Sequence, residues 1–244
     1  IATGPAAWSS WKAGLVEDLS NRTISYLKGG AGSIIERTFP TPDQLQMMRR
    51  GMIRVEGDAD RLTIMEIDKP AVFGRVAGAL SLCGLDVLEA IAHTEYGMVL
   101  AMFRVAPNTT KDIDWNSVCA FVQDSVRGRV AIAARLAERM QTYSQQISQQ
   151  FPDRVVDTDV KIDNETSSTA TVIEVSAPNG MGLLYQITRA LGSLDLNILS
   201  AKVQTLGSDV VDSFYVLDND GKKIDDQVPA DEVQQALKHA SHGQ

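Results

Sequence analysis

Cysteine, histidine and clustered basic residues are all scarce in this chain, and each scarcity closes off a class of function. The two cysteines, Cys83 and Cys119, both fall inside helical patterns. They are too few for a disulfide framework or a four-thiolate zinc site, and read as reduced, partly buried thiols. The three histidines, His93, His239 and His242, stand at no spacing that would serve a zinc hydrolase, and no serine occupies a nucleophile elbow. Acidic residues outnumber basic ones 31 to 23, for a net charge of −8. That balance disfavours nucleic acid as a partner, because neutralising phosphates needs clustered Lys and Arg. No apolar run approaches the length of a membrane span and no basic-plus-apolar leader opens the chain, so membrane contact is not expected. No catalytic centre and no metal site is read from the residues. The first residue is Ile1, not Met, and the chain is expected to be a piece of a longer protein.

With 44% apolar and 22% charged residues, the 244 positions suffice for two globular domains. The stretch from Thr169 to Leu217 organises them. Thr171, Ile173 and Val175 alternate as in a strand, and a break follows at Pro178-Asn179-Gly180-Met181-Gly182. Leu183, Leu184, Ile187, Leu191 and Leu194 then recur at spacings of three and four, which predicts a helix. Leu199, Ala201 and Val203 share one face of a following strand, and Gly207-Ser208 turns it into another, Val210 to Leu217. A shift of 111 residues lays this β-α-β-β unit on Leu62–Val105, with Ala79 on Ala190, Leu80 on Leu191, Ala90 on Ala201 and Phe103 on Phe214. Matches at apolar, element-internal positions mark a duplicated core.

Other segments frame the two copies. Trp8, Trp11, Leu15 and Leu19 have helical spacing, and residues 1–52 read as the helical tail of a missing upstream domain. The glycine-rich Lys28–Ser33 lacks the Gly-Lys-Ser/Thr ending of a phosphate loop. Thr41-Pro42-Asp43 predicts a short helix ending near Gly51. Extra strands are expected at Ile53–Val55 and Arg154–Ile162, one ahead of each copy. Asp114 is placed to cap a helix carrying Trp115, Val118 and Val122. Ala133, Leu136, Met140, Tyr143 and Ile147 form the stripe of a long amphipathic helix between the copies. Asp157 with Asp159, and the turn Asp218–Gly221, lack the further ligands a cation would need and read as solvated surface. A last helix follows Pro229.

One loop is placed to hold a small polar ligand. Asn179-Gly180-Met181-Gly182-Leu183 lies between a strand end and a helix start. Glycine admits a close approach to backbone N–H groups, and a helix N-terminus favours a carboxylate. Asn197, opening the next strand, and Asn179 offer polar groups for an ammonium or amide, the combination an α-amino acid presents. The same glycines equally make a plain tight turn, and the residues alone leave both readings open.

The Asp/Asn-x-x-Gly-Leu loop followed by Leu-Asn-Ile resembles the ACT domain, a ferredoxin-like βαββαβ module that binds amino acids. More narrowly, Gly182-Leu183-Leu184-Tyr185-Gln186-Ile187, Asn197-Ile198-Leu199-Ser200-Ala201-Lys202 and Val211-Asp212-Ser213-Phe214-Tyr215-Val216 are similar to the C-terminal region of the bifunctional PII uridylyltransferase/uridylyl-removing enzyme family. Gly4-Pro5-Ala6-Ala7-Trp8 and Val160-Lys161-Ile162-Asp163-Asn164 extend the likeness over most of the chain. The resemblance implies an α+β fold of two tandem ferredoxin-like ACT domains, at 53–150 and 151–244, after the end of an HD-type domain at 1–52. It implies a cytoplasmic, glutamine-sensing allosteric region in nitrogen regulation without catalysis of its own, whose partners are glutamine, the PII signalling protein and the missing catalytic domains. A homodimer is a further possibility. The magnesium and nucleoside triphosphate of the reaction would belong to the parent's catalytic part, and no cofactor is expected here. Whether the parent transfers UMP or AMP is not written in these residues. The family loop Asp-x-Pro-Gly-Leu is Asn179-Gly180-Met181-Gly182-Leu183 in the second copy, which keeps the glycine. In the first it is Asp68-Lys69-Pro70-Ala71-Val72, where a Cβ on Ala71 crowds the approach, so Asp68, Pro70 and Ala71 form the weaker candidate. A rival reading, an interaction or dimerisation module that docks PII without a ligand, fits the same fold.

Overall fold

A computed structural model describes residues 39–69, 71–108, 110, 112–148, 158–178, 180–206, 209–225 and 227–241. The expected tryptophan-bearing helix and the Lys28–Ser33 glycine run lie outside them. Helix α1 (Pro42–Arg49) opens with a reciprocal cap. The Gln44 N–H donates to Thr41 Oγ1 at 3.2 Å while the Thr41 N–H donates to Gln44 Oε1 at 2.8 Å. It stops before Gly51, whose φ of 65° lies in the left-handed region.

The first copy comprises β1 (Arg54–Asp58), β2 (Arg61–Ile67), α2 (Val72–Leu82), β3 (Leu85–Glu95), β4 (Met98–Pro107) and α3 (Trp115–Val126). After helix α4 (Ile132–Ser148), the second copy runs β5 (Asp159–Asp163), β6 (Thr171–Pro178), α5 (Leu183–Ser193), β7 (Asn197–Leu206), β8 (Asp209–Leu217) and α6 (Gln227–Ser241). All eight strands form one antiparallel sheet in the order β1-β2-β4-β3-β7-β8-β6-β5. The fold is α+β, as the duplicated strand-helix pattern implies. Within each copy the edge strand comes first in the chain, so the elements run ββαββα while the four strands keep a ferredoxin-like antiparallel arrangement.

The copies join through β3 and β7, where Glu89 faces Lys202, Ala90 faces Ala201 and Ile91 faces Ser200. Ala90 and Ala201 are equivalent positions of the repeat, so the join is locally two-fold. Each strand carries the same irregularity, between Val87 and Glu89 in β3 and between Ile198 and Ser200 in β7. Pairing covers two backbones that would otherwise be exposed sheet edges. This is the intramolecular association of copies that a duplicated module favours.

Phe103, Phe214, Leu62, Leu80, Ile173 and Leu191 have no exposed surface and belong to one core continuous across both copies. Helices α2 and α5 approach closely because glycine lies on the contact. A Cβ on Gly74 would stand 3.1 Å from Thr188 Oγ1, and one on Gly78 would stand 2.5 Å from Ile132 Cγ2 and 2.7 Å from Tyr185 Cδ2. Asp114 caps α3 as its position predicts, accepting from the Ser117 N–H and hydroxyl. The Trp115 indole N–H donates to the Ala59 carbonyl at 3.2 Å, and its ring fills the space a side chain at Gly57 would need. In α4 the inward residues are Ile132 and Leu136, whereas Ala133 is exposed. The helical period is as expected, but its apolar stripe begins one residue earlier.

Candidate ligand site between the two copies

The second-copy loop meets the first copy at a cavity of about 250 Å³. Gly180, Met181, Gly182 and Leu183 form one wall, with Tyr185 from the first turn of α5. Asp86 and Leu88 from the start of β3, Ser81 from α2 and Asn108 after β4 line it from the first copy. Val203, Val210 and Asp212 line it from β7 and β8. The volume is below the ~300–1,000 Å³ usual for drug-sized ligands and has the scale of one amino acid.

Local backbone explains the loop wall. Gly182, the residue before α5, has φ 76°, a conformation that favours glycine. A Cβ there would lie 3.4 Å from the methyl groups of Leu136, so α4 backs the loop directly. The Leu183 N–H donates to the Gly180 carbonyl at 3.2 Å and the Gln186 N–H to the Gly182 carbonyl at 3.0 Å. The Leu184 and Tyr185 N–H groups open the helix with no carbonyl one turn back to bond within it, and the positive end of the helix dipole points the same way.

Two acids, Asp86 and Asp212, line the cavity. Asp212 is 1% exposed, and its Oδ1 has no hydrogen-bond partner. Its cross-strand neighbours are Val175 and Val203. Burial pushes its carboxyl up to about 7, because a carboxylate out of water loses hydration that nothing here replaces. Asp86 is exposed, and partial burial of its carboxyl raises it from its ordinary value. Among the described residues no lysine or arginine lines the cavity.

The remaining sequence candidates fall elsewhere. Asn197 is exposed and donates to the Asp218 carbonyl at 3.4 Å, apart from the cavity lining. Its repeat equivalent in the first copy is Asp86, which does line the cavity. The antiparallel join therefore sets the loop of one copy against the strand start of the other. Asn179 and Pro70 lie outside the described residues. The Asp68 N–H donates to the Gly97 carbonyl at 2.9 Å. Ala71 is exposed and has φ 68°, so the first-copy loop copies the Gly182 backbone conformation despite its Cβ. Sequence reasoning missed Asp212, although the signal was present: it interrupts the apolar phase of Val210, Phe214 and Val216 on β8. Ala101 holds the equivalent place in the first copy and is 1% exposed.

Other features offer no comparable site. A wider hollow of about 630 Å³ lies beside Cys83, Phe121, Arg135 and Arg139. Its cations are engaged: Arg139 donates to the Leu82 carbonyl at 2.7 Å and Arg135 stacks 5.7 Å from the Phe121 ring centre. Cys83 and Cys119 are free thiols that burial pushes up, which makes them poor nucleophiles. His93 bonds Glu95 at 3.1 Å on the surface. Among the described residues no group of three or more His, Cys, Asp or Glu could hold a metal ion, and no helix is long and apolar enough to cross a membrane.

Residues 166–244, within the second copy, match the profile of the ACR family N-terminal ACT domain. Almost the whole chain is similar to bifunctional uridylyltransferase/uridylyl-removing enzymes. Identity is 27% to the Cereibacter sphaeroides protein, covering 97% of this chain and 30% of that relative. It is 27% to that of Rhodospirillum rubrum and 29% to that of Azospirillum brasilense, covering 98% of this chain and 31% of the relative in both cases. The chain thus spans less than a third of the length of these curated relatives.

Proposed function

We propose that this chain is the glutamine-sensing allosteric region of a cytoplasmic enzyme that attaches nucleotidyl groups to, and removes them from, the PII signalling protein in nitrogen regulation. The region performs no catalysis and takes no cofactor; magnesium and the nucleoside triphosphate belong to catalytic domains outside it. The observation that carries this reading is the cavity between the copies. It brings a glycine-bearing loop at a helix start together with two carboxylic acids, the buried Asp212 and the exposed Asp86, around a space of amino-acid size. A zwitterion fits that polarity, with its carboxylate toward the first turn of α5 and its ammonium toward the acids. The amide of glutamine adds a neutral group that can bond Ser81 and Asn108. Leu136 against Gly182 sets α4 directly behind the loop, a route by which ligand binding is felt outside the site.

Calorimetric titration of the chain at pH 8 with each of the twenty amino acids tests this. Glutamine should bind with a stoichiometry of one, because the repeat-equivalent position has Ala71 in place of Gly182 and Ala101 in place of Asp212. Absence of glutamine binding, or tighter binding of another amino acid, would refute it. Incubating the chain with PII protein, magnesium and UTP should give no transfer.

A further inference from the structure

We propose that Asp212 is the specificity-determining residue of this cavity: its carboxylate takes the ligand's ammonium, and it gives up a proton to do so. The inference rests on the amino-acid reading above and deepens it.

Three observations carry it. Asp212 is 1% exposed with an unpartnered Oδ1, yet it borders a cavity large enough for a ligand. A buried polar group without a partner is a cost that a fold ordinarily avoids. The duplication supplies an internal control, because Ala101 fills the equivalent place in the first copy and is equally buried. The sheet therefore does not need a carboxylate there. Finally, no lysine or arginine among the described residues lines the cavity to pair with the acid.

The groups around Asp212 define the proton balance. Its neighbours on β6 and β7 are Val175 and Val203, and α2 contributes Ser81, β3 Asp86 and α5 Tyr185 to the same cavity lining. Burial keeps Asp212 protonated up to about pH 7 in the free chain. When an ammonium enters, the carboxyl ionises, the O–H bond breaks, and the proton leaves to buffer while N–H···O contacts form. The side-chain carboxylate of glutamate, in the place of the glutamine amide beside Ser81 and Asn108, would add an anion to a cavity that already holds Asp86 and Asp212. Glutamate is thereby rejected where glutamine is accepted.

Calorimetry of the chain with glutamine at pH 6 and pH 8, in buffers of different ionisation enthalpy, tests this. Affinity should rise about tenfold from pH 6 to pH 8 as Asp212 loses its proton, and binding at pH 6 should release close to one proton. Asp212→Asn and Asp212→Ala should bind glutamine at least tenfold more weakly, with no pH slope attributable to this site; the alanine variant repeats what the first copy already tolerates. Glutaramate, which lacks the amino group, should bind native and variant chains alike without proton release. Native-like affinity and proton release in Asp212→Asn would overturn this inference and leave the glutamine reading standing. No glutamine binding by the native chain at either pH would overturn both.

Discussion

Replacing Asp212 by asparagine should make the chain more stable above neutral pH, which is unusual for a buried polar residue. The acid titrates at about 7 in the folded chain against 3.8 in the unfolded one. Between those values the folded chain keeps a proton that the unfolded chain has lost. Stability must therefore fall as pH rises from about 4 to about 7, and stay level beyond. A difference of about three pK units at about 1.4 kcal/mol each amounts to about 4 kcal/mol at pH 8. Asparagine is isosteric and uncharged, so it removes this penalty; its amide needs partners of its own, which leaves a net gain of about 2–4 kcal/mol at pH 8. At pH 4.5 the two proteins should be nearly equal. Urea unfolding of both at pH 4.5, 6, 7 and 8 measures the difference. Asp86 is raised in the same direction but is present in both chains, so its share cancels. A variant no more stable than the native chain at pH 8, or a gap that does not grow with pH, would refute the reasoning. The trade is typical of binding sites, where a group kept for the ligand costs the empty fold stability.

Gly78→Ala should cost about 1–3 kcal/mol by urea unfolding, since its Cβ would press on Ile132 and on the Tyr185 ring that borders the cavity. Leu136→Ala should cost about 2–5 kcal/mol, because the residue is 2% exposed and backs Gly182. Ala71→Gly should leave stability unchanged or raise it by up to about 1 kcal/mol, whereas Gly182→Ala should lower it by about 1 kcal/mol, both positions being left-handed. Thermal unfolding of the pair reads the contrast. A matching loss in both would show that the two loops do not share this backbone.

The elements were legible in the sequence because each copy has one apolar face, which leaves a period of two in strands and between three and four in helices. The equivalence of Ala90 with Ala201 was legible too, but not that these two residues would pair and so join the sheets. The site was half legible. Gly180–Leu183 does line a cavity, whereas Asn197, chosen as the polar partner within the same copy, lies apart from it. A join between strands β3 and β7 is a long-range fact, and periodicity within one copy carries no trace of which copy a loop will face. Asp212 was hidden for another reason. An acidic residue on the helix-facing phase of a strand is visible in the chain, but its cost becomes apparent only when burial and the missing partner are known.

The central claim is that glutamine occupies the cavity between the copies, and hydrogen exchange followed with and without glutamine at pH 8 tests it most directly. Backbone amides at 181–186 in the second copy and 85–88 in the first should gain protection together, with little change at 68–73 and 197–199. No change in either segment, or protection confined to 68–73 and 197–199, would contradict it.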